Sequence, residues 1–438
     1  MRGLGKWLGR IVLALVVLVG IGLAGFWIFA PAIVGKAHNN VIDHSPYPVS
    51  AAGQALHDTL IIGDWHADSL LWKRDLTERG SFGQVDLPRL RDGGVAIQMF
   101  TAVTKSPAGQ NYDENSAEAF DNITLLAFGQ LWPMRTWNSL LERALYQAEK
   151  LHKFEAKDPA HLQIVTSESD LDAVLARRAK GEQVVAGLLG IEGGHPLEGK
   201  LENLDKLEAA GYRLIGLQHF FDNALGGSLH GESNQGLTPF GKQVVTEVAR
   251  RGLILDVAHS SPQVVQDVLG MVDIPVVLSH SGIHAHCPVK RNLPDALMQQ
   301  IAATGGVIGI GYWAEVACND ITPKGIAKMI KAAIAAVGED HVSLGSDFDG
   351  SVETAFDTSE LPALTSELLA AGLTEAQIRK VMGKHAARVA GAVELISGTR
   401  GVSPQTPEYF QQDETRPRNA VQSSSVQGQG LTVLAADM

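Results

Sequence analysis

Cysteine is nearly absent: only Cys287 and Cys318 occur among 438 residues, and no CxxC spacing exists. A structural zinc finger is therefore excluded. Charge is modest at 19%, the formal net charge is −12, and no basic patch stands out, which argues against nucleic acid as a partner. No internal repeat is visible. What remains is an ordinary globular composition, 45% hydrophobic, with length for one large domain or two smaller ones.

The two ends differ from the middle. "MRGLGKWLGR" carries Arg2, Lys6 and Arg10, and about 24 uncharged residues follow it to Val34. That run is long enough to span a bilayer and longer than a usual signal-peptide core. Basic residues before it predict an N-in, C-out anchor, with the main domain on the periplasmic side of a bacterial inner membrane. A signal cleaved near "FAPA" (29–32) is the alternative. Outside the cytoplasm a Cys287–Cys318 disulfide is allowed, with two unpaired buried thiols as the other reading. From Ser397 onward Pro, Gln, Ser and Gly dominate, which reads as irregular tail. The expected division is an anchor over 1–35, one domain over 36–396 and a tail over 397–438.

Between these ends, short apolar runs alternate with helical patterns. The runs are 59–66, 95–103, 184–194, 212–219, 252–259, 275–280, 306–313 and 341–350. Helical stretches at 202–211, 238–252 and 323–338 end at glycine. Buried strands alternating with helices imply a parallel sheet, and eight imply a closed (β/α)8 TIM-like barrel. An open doubly wound sheet is the competitor, but no GxGxxG follows the first strand.

"TLIIGDWHADSL" (59–70) puts His66 and Asp68 two residues apart, on one side of an extended chain. Alone, that pair fits either a metal site or a turn held by aspartate. The other strand ends decide. The third run ends in Glu192, the fourth in His219, the fifth in His259, the sixth in His280 and the eighth in Asp347. In a barrel these ends share one rim, where active sites are built. Four imidazoles and three carboxylates crowded there need something to satisfy them. Imidazole with carboxylate and no thiolate suits zinc or another first-row ion. There are more candidates than one ion uses. Two ions fit better, with His66 and Asp68 on one, His259 and His280 on the other, and Glu192 between. A hydroxide bridging such a pair is a nucleophile at neutral pH.

Together the H-x-D, "GIEGGH", "LQH", "LDVAHSS", "LSHSGIHAHCPVKRN" and "GSDFDG" motifs resemble the membrane dipeptidase (renal dipeptidase) family of zinc peptidases, over roughly 55–395. The resemblance implies His66, Asp68, Glu192, His259 and His280 as ligands of two zinc ions. It implies His219 as a catalytic residue facing the substrate and the tetrahedral intermediate, Arg291 as the binder of the substrate's terminal carboxylate, and Asp347 as the acid/base residue. It implies dipeptides as substrates, with L-Xaa-D-Xaa among them, and a homodimer, for which the helical segment 111–155 is the candidate surface. Cys287 and Cys318 resemble a bridged pair in animal members. The sequence departs from familiar members after the fourth strand, where "HFFDNALGGSLHGESNQGLTPFG" replaces H-x-C-N-x-x-W-A-D, so side-chain preference does not carry over. A binuclear amidase acting on an N-acyl amino acid or a lactam, and an anchored binding protein without catalysis, are the competing readings. Asp222 and His230 lie in that departing loop as candidate substrate contacts, and His195 as a residue orienting a ligand. His284 and His286 read as solvated or capping, and Trp132, Trp137 and Tyr146 as packing.

Overall fold

The computed structural model describes residues 2–384, so the predicted tail and His385 lie outside the described residues. Nine strands are present among the described residues: β1 Ile62–Ala67, β2 Val95–Val103, β3 Leu162–Ile164, β4 Val185–Glu192, β5 Tyr212–Gly216, β6 Ile254–Asp256, β7 Val276–Ser281, β8 Val307–Ile310 and β9 Val342–Leu344. All pairings are parallel. β2 pairs with both β1 and β4, and β9 pairs with β1 (Asp64 opposite Leu344), which closes an eight-stranded barrel. The eight expected strands are all there. The ninth, β3, was not expected; it lies beside Val185–Gly187 of β4, just before β5 takes over at Leu189.

The strands are buried almost throughout, as apolar runs covered on both faces must be. Helices surround them, and several begin the same way. Thr238, Ser261 and Thr322 each precede a proline, and each hydroxyl accepts from the backbone N–H three residues on, at 3.0, 3.1 and 3.1 Å. Such caps satisfy otherwise orphaned donors, while proline needs no partner at the first helical position. Gly211 and Gly252, which follow two of the expected helices, adopt φ of 103° and 69°, open to glycine without strain.

An α-helix covers Arg2–His38. Over Lys6–His38 it is long and apolar enough to cross a membrane, a test a signal sequence also passes. Cys287 and Cys318 form a disulfide. Trp132, Trp137 and Tyr146 pack in a small satellite core with Leu71, Trp72 and Val103, as their composition suggested.

Candidate metal centre

Local chain geometry brings the strand-end residues together. His66 lies near the end of β1 and Asp68 just past it, and they converge, Nε2 to Oδ1 3.6 Å. Glu192 is the last residue of β4. Its Oε1 lies 3.5 Å from His66 Nε2, 3.2 Å from His259 Nε2 and 3.4 Å from His280 Nε2. The Nε2 atoms of His259 and His280 are 2.9 Å apart. Two groupings of ligand atoms, His66/Asp68/Glu192 and Glu192/His259/His280, share the glutamate. A third joins His66, His280 and Asp347, whose Oδ1 is 3.8 Å from His66.

Besides Asp68, three of the rim residues lie beyond their strands. β5 stops at Gly216, β6 at Asp256 and β9 at Leu344, short of His219, His259 and Asp347. The chain turns to aim them inward: His259 has φ 58° and Asp347 φ 61°. Left-handed backbone is uncommon for residues with a Cβ and collects at functional positions. Gly309 and Gly345 make room nearby, since a Cβ on either would come within 2.0 or 1.9 Å of the Ser279 carbonyl oxygen.

A second layer, unnoticed in the sequence, fixes these side chains. Asp256 accepts from Ser279 Oγ (2.7 Å) and from the N–H groups of Ala258 and Ser279, both 3.0 Å. Ser279 Oγ in turn lies 2.9 Å from His280 Nδ1 and 3.3 Å from His66 Nδ1. Asp64 accepts from the N–H of His66 (2.9 Å) and of Ser346 (3.2 Å). Thr101 donates to Asp68 at 2.6 Å. Second partners of this kind set ring orientation and ligand basicity in metal sites. The spacing in "GDWH" and "LDVAH" was the available signal, but strand register, not sequence, brings Asp256 to Ser279.

Electrostatics fit cations here. Burial and the Asp68 carboxylate push Glu192 well above the usual range, and burial raises Asp347 to about 8 against the pull of His66. Burial opposes protonation of His66, yet Glu192 and Asp68 lift it to about 10. Burial and Arg291 hold His259 well below its usual value, and burial and His66 do so for His280. His66 Nε2 is buried and has no hydrogen-bond partner. Ionised carboxylates packed this deeply persist when cations neutralise them. The donor set of imidazole and carboxylate accepts divalent first-row ions.

Two more predicted residues flank the cluster. His219 Nε2 is 3.4 Å from Glu192 Oε2, and its Nδ1 is 3.3 Å from the Lys105 carbonyl. Arg291 is fully buried; Nη2 donates to the His280 carbonyl at 2.8 Å and the guanidinium lies 5.5 Å from the Trp313 ring. Its Nε and Nη1 have no partner. The adjoining cavity of about 550 Å3, open mouth included, is lined by Leu71, Val103, Tyr112, Ile123 and Phe220 beside Asp68, Glu192, His219, His259 and Asp347.

The other candidates join no grouping of ligand atoms among the described residues. Neither ring nitrogen of His195 has a partner and the ring lies tilted against Phe221, centroids 4.7 Å apart, so it orients no ligand. Asp222 ties its own loop, accepting from the N–H of Ser228 and of Ser233, both at 2.8 Å. His230 is buried beneath Phe220, its Nδ1 2.9 Å from the Tyr112 carbonyl. His284 and His286 join no metal-ligand group among the described residues. Asp349, two residues from Asp347, is held away from the cluster by Ser69, Arg74 and Gln84.

The comparisons with known proteins agree with this arrangement. Residues 51–402 match the model of the membrane dipeptidase family (peptidase family M19). Among solved structures, a metallopeptidase named dipeptidase AC is 25% identical, with a TM-score of 0.64 over 78% of this chain and 100% of its own. A metallopeptidase from Rhodobacter sphaeroides, liganded with a phosphinate mimic of the dipeptide L-Ala-D-Ala, is 23% identical, with a TM-score of 0.62 over 77% of this chain and 100% of its own. An amidohydrolase from Pseudomonas aeruginosa shares the fold at 21% identity and a TM-score of 0.61, over 78% of this chain and 98% of its own. A closed barrel whose rim gathers imidazoles and carboxylates, matched along most of its length by one family, places this chain in the membrane dipeptidase family of metallopeptidases.

Proposed function

We propose that this chain hydrolyses dipeptides at a centre of two zinc ions held by His66 and Asp68 on one side, His259 and His280 on the other, and Glu192 between them. The observation that carries the reading is the convergence of four of these side chains on the fifth, Glu192, beside a buried guanidinium with two unpartnered nitrogens. When bound, the ions supply Lewis acidity and a water or hydroxide nucleophilic at neutral pH.

The chain's own residues do the rest. Arg291 has two free donor nitrogens, Nε and Nη1, on a permanently charged group, so it binds the C-terminal carboxylate of the dipeptide. His219, beside Glu192, stands where it can donate to the oxygen that gains charge as the carbonyl is attacked. Burial keeps its pKa down at about 4, so the ring is neutral near pH 7 and carries one N–H. The tautomer that donates to the oxygen is the one protonated on Nε2, which leaves the 3.3 Å contact of Nδ1 with the Lys105 carbonyl without a proton. Asp347 takes the proton from the nucleophile and returns it to the leaving amine. Tyr112, Phe220 and Trp313 wall the cavity.

The N-terminal helix anchors the chain, and the barrel faces the periplasm. The basic residues before the apolar run support that orientation, and the Cys287–Cys318 bridge supports an oxidising compartment. The test is elemental analysis of the full-length chain in detergent, followed by hydrolysis of L,L and L,D dipeptides with and without chelator. The expected result is about two zinc equivalents and chelator-sensitive cleavage. The L,D set is included because the Rhodobacter sphaeroides relative holds an L-Ala-D-Ala mimic. Bound metal without dipeptide cleavage would move the assignment to another small carboxylate-bearing amide, such as an N-acyl amino acid or a lactam. Absence of metal from the purified chain, with no uptake from zinc solution, would overturn it.

A further inference from the structure

Between Asp121 and Arg135 the chain has no charged residue, although much of it is at the surface. Phe120, Leu125, Phe128, Leu131 and Met134 are exposed, Leu125 by 61% and Met134 by 75%. A helix spans Asn122–Gly129. It buries Ile123 and Ala127 and turns Leu125 and Phe128 outward. Leu131, just past its end, has φ 57°. Glycine is the usual residue there, and a leucine pays a steric cost without gaining burial. Soluble surfaces seldom gather apolar side chains in this way unless something covers them.

The position of the patch says what covers it. Phe128 packs edge-on against Trp27 of the N-terminal helix at 5.8 Å, and Gly129 faces Phe26. The uncharged run of that helix, Ile11–Val34, is roughly 36 Å long, against ~30 Å for a hydrocarbon core. Trp27 lies seven residues before Val34, about 10 Å along the axis. A span starting at Ile11 and crossing the core in ~20 residues therefore leaves Trp27, and Phe128 beside it, at the outer edge of the hydrocarbon. Aromatic residues favour that layer. The domain has little freedom to rise away from it. Pro31, Gly35 and Asn39 are buried, so the last turns of the helix lie on the barrel. Asn39 accepts from the Ser351 N–H at 3.1 Å, and the following residues pair with Thr354 on both sides, at 2.9 and 3.1 Å.

We propose that the surface of Phe120, Leu125, Phe128, Leu131 and Met134 is a second membrane contact, inserted between headgroups and acyl chains of the leaflet from which the N-terminal helix emerges. The inference rests on reading that helix as a membrane span. Ile123, on the opposite face of the same short helix, lines the cavity beside the metal centre, so the contact holds the mouth of the active site close to the bilayer.

The native cysteines are paired, so a single introduced cysteine can be labelled in the full-length chain. Leu125→Cys, Met134→Cys and, as reporter of the span, Leu13→Cys would carry the polarity-sensitive dye NBD in vesicles of phosphatidylethanolamine and phosphatidylglycerol. Labels at Leu125 and Met134 should be quenched several-fold more by nitroxide-bearing acyl chains than by aqueous iodide, with activity in detergent unchanged. If the Leu13 label meets lipid while those two meet iodide, the patch is in water and the inference fails, leaving the anchor intact. If both quenchers miss Leu125 and Met134, protein covers the patch, as a second copy would, and the lipid assignment fails. If the Leu13 label also escapes lipid, the anchor reading fails and takes this one with it.

Discussion

Arg291 offers the sharpest test of substrate class. It is fully buried, donates once to the His280 carbonyl, and leaves Nε and Nη1 without partners. Each hydrogen bond to a charged group contributes about 1.5–3 kcal/mol. Removing one member of a buried charged pair costs about 2–5 kcal/mol. Arg291→Met keeps much of the length and removes the donors. For a dipeptide with a free C-terminus, kcat/KM should fall by about 3–5 kcal/mol, roughly a hundred- to several-thousand-fold. For the same dipeptide with an amidated C-terminus the loss should stay under about tenfold, because the pairing it removes never formed. Arg291→Lys should fall between, since an ammonium keeps the charge but not the fork. Stability supplies an independent readout. Two buried donors without partners cost about 1–3 kcal/mol each, so the metal-loaded methionine variant should unfold at the same temperature as the parent or higher. Equal losses on free and amidated substrates would refute the carboxylate role. A large drop in unfolding temperature would show that the guanidinium is structural.

Two further outcomes follow from the site and its surroundings. Asp347→Asn should retain metal and substrate affinity but lose about 10²–10⁴ in kcat, the range of general acid–base catalysis, checked by steady-state rates alongside elemental analysis; unchanged kcat would remove Asp347 from proton transfer. Burial, then His219 and Lys105, lowers His195 to about 3, while burial and Arg291 lower His230 to about 3. An unfolded histidine takes up a proton near pH 6.5 and these folded ones do not, so their contribution to stability is complete above about 6.5 and lost as pH falls towards 3, about 1 kcal/mol each by pH 5.5. His195→Met should therefore flatten the acid side of a urea-midpoint profile; an unaltered slope would mean that His195 is protonated in the folded chain.

The barrel was legible because its strands are buried on both faces and read as continuous apolar runs. Their ends were not. The run 252–259 was read as one strand, yet pairing covers only Ile254–Asp256. The chain must leave the ladder to swing His259 over the mouth, through a left-handed residue that no pattern of apolar side chains announces. Asp347 behaves likewise after β9. β3 escaped notice because three residues in "HLQIVTS" carry too little periodicity, and their pairing with β4 is a tertiary fact. The rim residues were readable one by one, since each ends an apolar run. Their support was not: Asp256 reaches Ser279, and through it His280 and His66, only because β6 and β7 are paired neighbours and the closed barrel brings β1 to face β7, with β8 and β9 between them in the wall. His195 shows the opposite error. Proximity in sequence to Glu192 suggested a supporting role, and the backbone turns its ring towards Phe221 instead.

The disulfide ties the loop that carries Arg291 to the chain that follows β8. Cys287 lies in the loop after β7 that carries Arg291, and Cys318 follows Trp313 after β8, 31 residues away. Asn292 reinforces the same junction, accepting from the Gly282 N–H at 2.8 Å and donating to the carbonyls of Cys287 and Val316 at 2.9 and 3.1 Å. Closing a loop of that length stabilises the folded chain by about 3–4 kcal/mol in the chain-entropy account. The proposed ligands His66, Asp68, Glu192 and His259 come from other strand ends, whereas the placement of Arg291 against Trp313 depends on this junction. The double variant Cys287→Ser/Cys318→Ser should therefore unfold earlier by that amount in denaturant titration. It should keep its metal and show a raised KM for free dipeptides, with a smaller change in kcat. A fall in metal content with KM unchanged would place the bridge under the metal cluster instead. The wild-type chain carries a second consequence. Produced with its anchor it should contain no free thiol, and produced in a reducing cytosol without it, two. The cytosolic form should then match the serine variant in both stability and KM, because the bond that steadies the Arg291 loop forms only in an oxidising compartment.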